Sequence, residues 1–441
     1  MTQFAPRANG FDHAASLRRL DPERLTGAAQ DPPALGIGAP LVEPPAPQHP
    51  DQPPRGRRRG PLWLMGVGVV LVVVAVVFAV VGVPALVRFP LTTNQTAYYT
   101  GRFSIYVNQS TLEPLATPTV LPMTVSRQVK VLSGGFSTAV LAERDTIRAG
   151  QLTYHQNFQF LLNRRTMAFE NGPQTMMFGQ PAKTDIAGTY RVNFPLGTSV
   201  SGRYPIWNTE TDGAAVVSGG RGPFSLPGVP GLQVEQFISD ITGPVSPYYR
   251  NWLVHNGFPG SITPTQLEPR LSALGVNVPA LLGTFLPVLT PAQRSQVEQV
   301  LGAPVPLVYT FFYRGTVDVE PRTGVMVKVD TTAEGVKVAP SLVGIDRLRP
   351  LLAAHSTIPA VAALSSALNK LAAAPPQTAV DYTWVQTLGS QRHMANLAKS
   401  QIHKLNLVDA VPWVLGVLGL VLVALGLVLR RRPRPAQPAT V

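Results

Sequence analysis

Two long apolar segments, Leu62 to Val83 and Val411 to Leu429, lie near the two ends of this 441-residue chain and restrict every fold it can adopt. Each is uncharged and close to the ~20 residues a helix needs to cross a bilayer core at about 1.5 Å per residue. Both are expected to be membrane spans. With two crossings, everything between them forms one block on one side of the membrane. Arg55, Arg57, Arg58 and Arg59 precede the first segment, and Arg430, Arg431, Arg432 and Arg434 follow the second. Basic residues are held on the cytoplasmic side of a span, so these eight arginines are the expected topology determinants. They predict a cell-membrane protein with both termini cytoplasmic and residues 88–410 extracytoplasmic.

The first segment exceeds the roughly 7–15-residue apolar core of a secretory leader, and Pro84-Ala85-Leu86 offers no small-x-small cleavage site, so it reads as an uncleaved anchor. The formal net charge is +13. Basic residues beside a span gain from anionic headgroups, so this charge points to membrane lipids as partners and away from nucleic acid. No cysteine is present, which excludes disulfides, thiolate metal ligands and a cysteine nucleophile. A block as long as 88–410 can bury enough surface to stand without them. The preference for Arg over Lys, with abundant Ala, Gly, Pro and Val, is the bias of a GC-rich genome, and an actinobacterial origin is expected.

Residues 1–60 are rich in Pro, Ala, Gly and Arg with little apolar periodicity, and are expected to be a disordered cytoplasmic tail; residues 430–441 form a short basic tail. From Thr96 to about Phe237 the chain reads as short β-rich runs, among them Arg102 to Val107, Met123 to Leu132 and Leu152 to Leu161. Val317, Val319, Val325, Val327 and Val329 alternate around Glu320-Pro321-Arg322-Thr323-Gly324, predicting a hairpin with one buried face. Between these β regions a helical insert is expected from about Tyr248 to Gly302. Thr263-Pro264-Thr265-Gln266 and Thr290-Pro291-Ala292-Gln293 each supply a threonine N-cap, proline at the first helical position and glutamine to close a capping box. Tyr248 to His255 offers a third helix. Beyond the hairpin, helices are expected over Asp346 to His355, Pro359 to Ala373 and from Val380 toward the second span, where Met394, Leu397, Ala398, Ile402 and Leu405 form an apolar stripe. The predicted class is α+β: a β-rich extracytoplasmic domain with a helical insert, flanked by transmembrane helices.

Signatures of catalysis are absent: there is no Gly-x-Ser-x-Gly, no His-Glu-x-x-His, no Gly-x-x-x-x-Gly-Lys and no dinucleotide-binding glycine pattern. The expectation is a protein that is not an enzyme and uses no cofactor. His155, His255, His355, His393 and His403 are far apart and lack ligand spacing. Asp318, Glu320 and Asp330 are the nearest approach to a carboxylate cluster, although alternation with buried valines already requires a polar face there, with Arg322 and Lys328 at hand to neutralise it. Trp207 with Glu210 and Asp212 makes a polar-aromatic spot whose simplest role is a loop anchor. No residue is assigned to catalysis, a cofactor or a metal.

Four segments carry a family likeness: Asn163-Arg164-Arg165-Thr166, Phe194-Pro195, Tyr204-Pro205-Ile206-Trp207 and Glu320-Pro321-Arg322-Thr323-Gly324, in that order between two anchors. By these the chain resembles the actinobacterial PorA-like porin family over roughly Val67 to Leu429. Asn163 stands where that family more often has aspartate. The resemblance implies an envelope protein of two anchors and brings no catalytic residues. Neither span has an ionisable residue to line a pore, so the name porin sits uneasily with the sequence. The expected function is therefore binding or conveying an apolar ligand such as an envelope lipid, a layout shared with class B scavenger-receptor lipid receptors. The alternative is a pore or scaffold built by association of spans, through Gly416, Gly419 and Gly426, with a second copy or another envelope protein. A hydrolase would need a concave site holding a perturbed carboxylate.

Overall fold

A computed structural model of the chain describes residues 60–108 and 112–431. The expected cytoplasmic tail of residues 1–60, apart from Gly60, lies outside them, as do Arg55, Arg57, Arg58, Arg59, Arg432 and Arg434. The first apolar segment is helix α1 (Gly60–Val77), which continues through one wide turn at Phe78–Gly82 into α2 (Val83–Leu86). Four long strands follow: β1 (Asn94–Val107), β2 (Pro114–Gly134), β3 (Thr138–Ala149) and β4 (Leu152–Asn163). Short pieces β5 (Phe169–Glu170), β6 (Met176–Met177) and β7 (Gln180–Pro181) precede β8 (Tyr204–Asn208), β9 (Gly213–Ser225) and β10 (Gln233–Pro244).

The insert is helical as expected. It holds α3 (Pro247–His255), the two-residue β11 (Ser261–Ile262), α4 (Pro264–Ala273), α5 (Val278–Phe285) and α6 (Pro291–Gly302). Thr263 with Gln266 and Thr290 with Gln293 close both capping boxes. Helix α5 escapes the sequence reading; Asn277 caps it by accepting from the Ala280 N–H at 3.0 Å. The pair α4 and α5 is apolar enough to suggest a bent membrane segment. Its apolar face, Leu267, Leu271, Leu281 and Phe285, is instead buried in the main core.

Strands β12 (Val305–Val319) and β13 (Met326–Pro340) form the expected valine hairpin, with Val319, Val325, Val327 and Val329 all buried. Helices α7 (Val343–Asp346), α8 (Arg349–Ala354) and α9 (Pro359–Ala373) follow, then β14 (Gln377–Gln386) and the 44-residue α10 (Leu388–Arg431). The stretch from Val380 is thus a strand where the sequence reading has helix. Val380, Tyr382 and Gln386 alternate inward on it, and Phe103 of β1 faces Tyr382 while Val336 of β13 faces Val380. Pairing on both sides satisfies this backbone, and the helix starts only where Thr387 accepts from the Ser390 N–H.

The sheet runs antiparallel in the order β7-β6-β4-β3-β2-β1-β14-β13-β12-β10-β9-β8. Its two ends are joined. Strand β5 pairs with β4, Phe169 exchanges backbone bonds with Thr189 and Gly188, and Tyr190 bonds to Pro205 and Trp207 of β8. The circuit of hydrogen bonds closes, and the sheet is a barrel. Closure demands strong curvature, supplied by register shifts in β9, β12, β13 and β14 and by glycines where backbones meet. A Cβ on Gly101 would stand 1.8 Å from the Thr383 carbonyl oxygen, and one on Gly335 would stand 2.2 Å from that of Val380.

The barrel faces water. Thr100, Arg102, Thr124, Lys130, Arg144, Arg148, His155 and Asn157 are exposed outside, while their alternates Tyr99, Phe103, Met123, Leu141, Phe158 and Phe160 are buried within. A lipid-embedded barrel has the reverse pattern, an apolar band outside. Membrane contact belongs to the two helices, the described elements that are long and apolar enough to cross on their own.

Those helices, α1 and α10, pack antiparallel through small residues. Gly68 lies against Gly419, Gly426 against Pro61 and Met65, and Gly416 faces Ala75. A Cβ on Gly68 would fall 2.5 Å from the Gly419 carbonyl oxygen, so the backbones touch. The glycines expected to serve association with another chain are thus occupied within this one. Gly60 and Arg431 lie at the same end of the pair. Before its span, α10 runs along the barrel, and its stripe meets Leu226, Val229, Leu232, Val234, Val325 and Val327 through Ala395 and Ala398.

This antiparallel register predicts that the double variant A75C/G416C forms an intrachain disulfide on mild oxidation. A Cβ built on Gly416 lies 3.9 Å from that of Ala75, within disulfide reach, and no native cysteine interferes. Electrophoretic mobility of the full-length protein before and after reduction reads it; a dimer band with no monomer shift would contradict the packing.

Candidate functional site

The barrel interior holds three adjoining cavities. The central one, about 150 Å³, is walled by residues from nearly every long strand, including Val125, Asp145, Trp207, Ser239, Glu334 and Trp384. A second, about 60 Å³, lies between the segment leaving the first span and the first half of α10, against Phe89, Pro90, Met394, Leu397 and Gln401. It shares Tyr99, Arg127, Met326 and Val329 with the central cavity. A third, about 20 Å³, sits under α3 and shares Ile147, Gln156 and Tyr382 with the centre. The central space thus shares walls with one beside the membrane stems and with another under the helical cap.

The space under α3 is apolar, the one beside the stems mixes Phe89, Met394 and Leu397 with Gln95, Asn193 and Gln401, and the centre is charged. Glu143 is buried and takes two bonds from Arg191, Nη2 at 3.0 Å and Nε at 3.2 Å, while Arg127 Nη2 stands 3.0 Å from the same carboxylate. Burial alone would raise the Glu143 pKa; Arg127 and Arg191 outweigh it and hold the group below the usual carboxylate range. Its neighbours are less well paired. Burial, reinforced by the Glu143 charge, pushes Asp145 up to about 7. Burial and then the charge of Glu210 push Glu334 up to about 8, against the stabilising bonds from Tyr382 Oη at 2.8 Å and Trp384 Nε1 at 3.0 Å. Asp145 Oδ1, Arg127 Nε and Trp207 Nε1 are buried with no hydrogen-bond partner. Such atoms are costly to leave unmatched, which marks this centre as built for something other than stability.

Sequence reasoning caught part of this site. Trp207, read as a loop anchor, is 4% exposed and forms cavity wall together with Glu210. Asp212 sits outside the cavity wall and accepts from Thr184 Oγ1 at 2.7 Å. Asp318, Glu320 and Asp330 serve structure. Glu320 accepts from the backbone of Arg322 and Thr323 and from the Thr323 hydroxyl, closing the hairpin turn. Asp318 accepts from Gln236 Nε2 at 3.0 Å, and Asp330 pairs with Lys328 at 3.5 Å. Of the histidines, His155 meets Thr146 Oγ1 at 3.2 Å on the outer face and His355 packs edge-on against Phe285. Among the described residues no three His, Asp or Glu stand together as a metal site. The missed residues are Arg127, Glu143, Asp145 and Glu334. The signal for three of them was phase: Met123, Val125, Arg127 and Val129 share one strand face, as do Leu141, Glu143, Asp145 and Ile147.

The segments that carried the family likeness tie the barrel to its stems. Arg164 donates to the Phe89 carbonyl at 2.8 Å and the Gly135 carbonyl at 2.6 Å, fixing the chain as it leaves the first span. Asn163 Oδ1 accepts the N–H groups of Arg165 and Thr166, as an aspartate would, and its Nδ2 also donates to Glu170 at 2.7 Å. Arg322 reaches Asn406 and, at 2.6 Å, Asp409 of α10. Phe194 bonds through its N–H to the Gly324 carbonyl at 2.8 Å and packs against Tyr204 and Phe237.

Fold and site together define a membrane protein whose water-facing, hollow barrel is carried on a pair of packed helices. The profile of the Porin PorA family matches residues 60–428, and the chain belongs to that family. A search of curated proteins finds no match to the chain.

The raised carboxyls fix the direction of a pH effect. Asp145 and Glu334 hold protons when folded that the unfolded chain releases near pH ~4, so their stabilisation is complete at low pH and is lost as pH climbs through about 7 and 8. The melting temperature of the full-length protein in detergent should fall between about pH 5 and about pH 9, and D145N/E334Q should flatten that slope. An unchanged slope in the double variant would contradict the assignment.

Proposed function

We propose that this protein is a non-enzymatic component of the cell envelope whose barrel lies outside the cytoplasm and receives an envelope lipid from the membrane surface. The observation that carries the reading is the position of the 60 Å³ cavity, between Phe89-Pro90 beyond the first span and Met394-Leu397 on the stem of the second, with a shared wall into the barrel. An apolar ligand alone fits poorly. The centre would leave Asp145, Arg127 and Trp207 facing hydrocarbon, at a cost of roughly 1–3 kcal/mol for each unmatched group. The ligand that suits these adjoining spaces is an amphiphile, with a polar group at the centre and an apolar part beside Phe89, Met394 and Leu397.

At about 150 Å³ the central cavity is smaller than the ~300–1,000 Å³ of ordinary ligand sites, so entry of an acyl chain requires the walls to part. Met394 and Leu397 on α10 border the way in, and the clamp from Arg322 to Asp409 holds that helix against the barrel. The family name favours a pore reading. Against it stand a polar barrel exterior and a helix pair whose small residues are already in contact with each other. A hydrolase reading draws on the raised pKa values of Asp145 and Glu334 in a cavity, the kind of pair from which acid–base chemistry is built.

Lipid extraction and mass spectrometry of the purified full-length protein test the proposal. Enrichment of one amphiphile class over the surrounding membrane supports it, and a lipid profile identical to bulk membrane contradicts it. Planar-bilayer recording separates the pore reading, for which the expected result is no conductance at any protein load. Turnover of ester or glycoside substrates by the purified protein, absent in D145N/E334Q, would favour the hydrolase.

A further inference from the structure

The central cavity has a donor and acceptor pattern that few ligand classes satisfy. Trp207 Nε1 and Arg127 Nε are unpaired donors, and Asp145 Oδ1 is an unpaired acceptor, all belonging to residues of one cavity wall. Trp207 is itself 4% exposed. A cationic ligand would satisfy Asp145 and leave two donors bare. An anion would satisfy the donors but meet Asp145, Glu210 and Glu334, which outnumber the two guanidiniums once Glu143 is included. Near neutral pH two of these four carboxyls, Asp145 and Glu334, keep protons for much of the time, which brings the interior close to electrical balance. A neutral ligand disturbs that balance least.

Hydroxyl groups donate and accept, so a ring bearing several of them can satisfy mixed walls of this kind. Aromatic rings form part of the remaining wall among aliphatic side chains, with Tyr99 and Trp384 edge-to-face at 4.7 Å and Phe311 and Tyr382 also in the lining, suited to the apolar C–H faces of such a ring. An engineered apolar cavity of about 150 Å³ takes the six-membered ring of benzene, so the ring itself fits here and its hydroxyls must reach toward the polar walls and the adjoining spaces. We propose that the barrel centre binds a neutral, polyhydroxylated six-membered ring, bonded through Trp207 Nε1, Arg127 Nε and Asp145 Oδ1. This rests on the reading of the barrel as a binding space and names the polar group that the space selects.

The test uses the full-length protein in phosphatidylcholine nanodiscs, prepared without sugar-headed detergent, and reads binding by saturation-transfer NMR. The probes are myo-inositol and glucose, with choline and hexanoate as charged controls. The expected result is saturable binding of at least one polyol and none of either ion. Trp207→Phe should weaken polyol binding about tenfold, the worth of one buried hydrogen bond, in protein whose melting curve shows that it is folded. Asp145→Leu removes the acceptor and should weaken binding to a similar extent, which keeps the test open if the tryptophan variant does not fold.

No saturable polyol binding by the wild-type protein overturns the proposal and leaves water as the occupant. So does saturable binding of choline or hexanoate, or undiminished polyol binding in folded Trp207→Phe. The two readings fail separately. Enriched lipids lacking hydroxylated heads would sink this inference and keep the lipid reading, whereas polyol binding without lipid enrichment would do the opposite.

Discussion

Two short pieces of backbone, Phe169–Glu170 and residues 188–190, join the ends of a large antiparallel sheet, and most of the protein's other properties depend on that junction. An open sheet would leave β4 and β8 as edges, each a row of unpaired N–H and C=O groups able to recruit other chains. Closure removes those edges and separates an inside from an outside. The outside can then be polar, and the inside can exclude bulk water. Without cysteine, the barrel is held by this hydrogen-bonded circuit and by the core it encloses, with α4, α5 and α9 packed into the same core at the capped end.

An enclosed interior makes charge expensive. Breaking a buried pair typically costs about 3–5 kcal/mol, whereas an apolar replacement of the whole pair is often neutral or better. A barrel selected for stability alone would fill its centre with valine and phenylalanine, as Phe103, Phe258 and Val380 fill the end under α3. The arginine–carboxylate group around Glu143, with Asp145 and Glu334 beside it, is therefore best explained by use. Its position accords with that view. A space that shares its wall lies beside the stems, and the family's segments at Arg164 and Arg322 hold those stems in register with the barrel.

Local rules made much of this legible. The spans, both capping boxes, the valine hairpin and the stripe on α10 follow from periodicity and cap chemistry within a dozen residues. Closure does not, because β5 and the segment 188–190 are too short to carry a period and acquire meaning only from distant partners. Strand β14 was hidden by the helix-forming run that follows it, although Val380, Tyr382 and Trp384 alternate at period two. The charged centre went unread: no motif marks Glu143 or Asp145, and only their phase with Leu141 and Ile147 along β3 places them inside. The glycines of α10 show the converse, a correctly identified contact surface whose partner, α1, is in the same chain.

The central claim is that the barrel interior is reached from the membrane between the two stems. Photocrosslinking in native membranes tests it most directly, with benzoylphenylalanine at Met394 in the entrance, at Val129 inside the wall, and at Thr124 on the outer face. The account predicts lipid adducts at Met394 and Val129 and none at Thr124. Adducts absent from Val129, or present equally at Thr124, would contradict it.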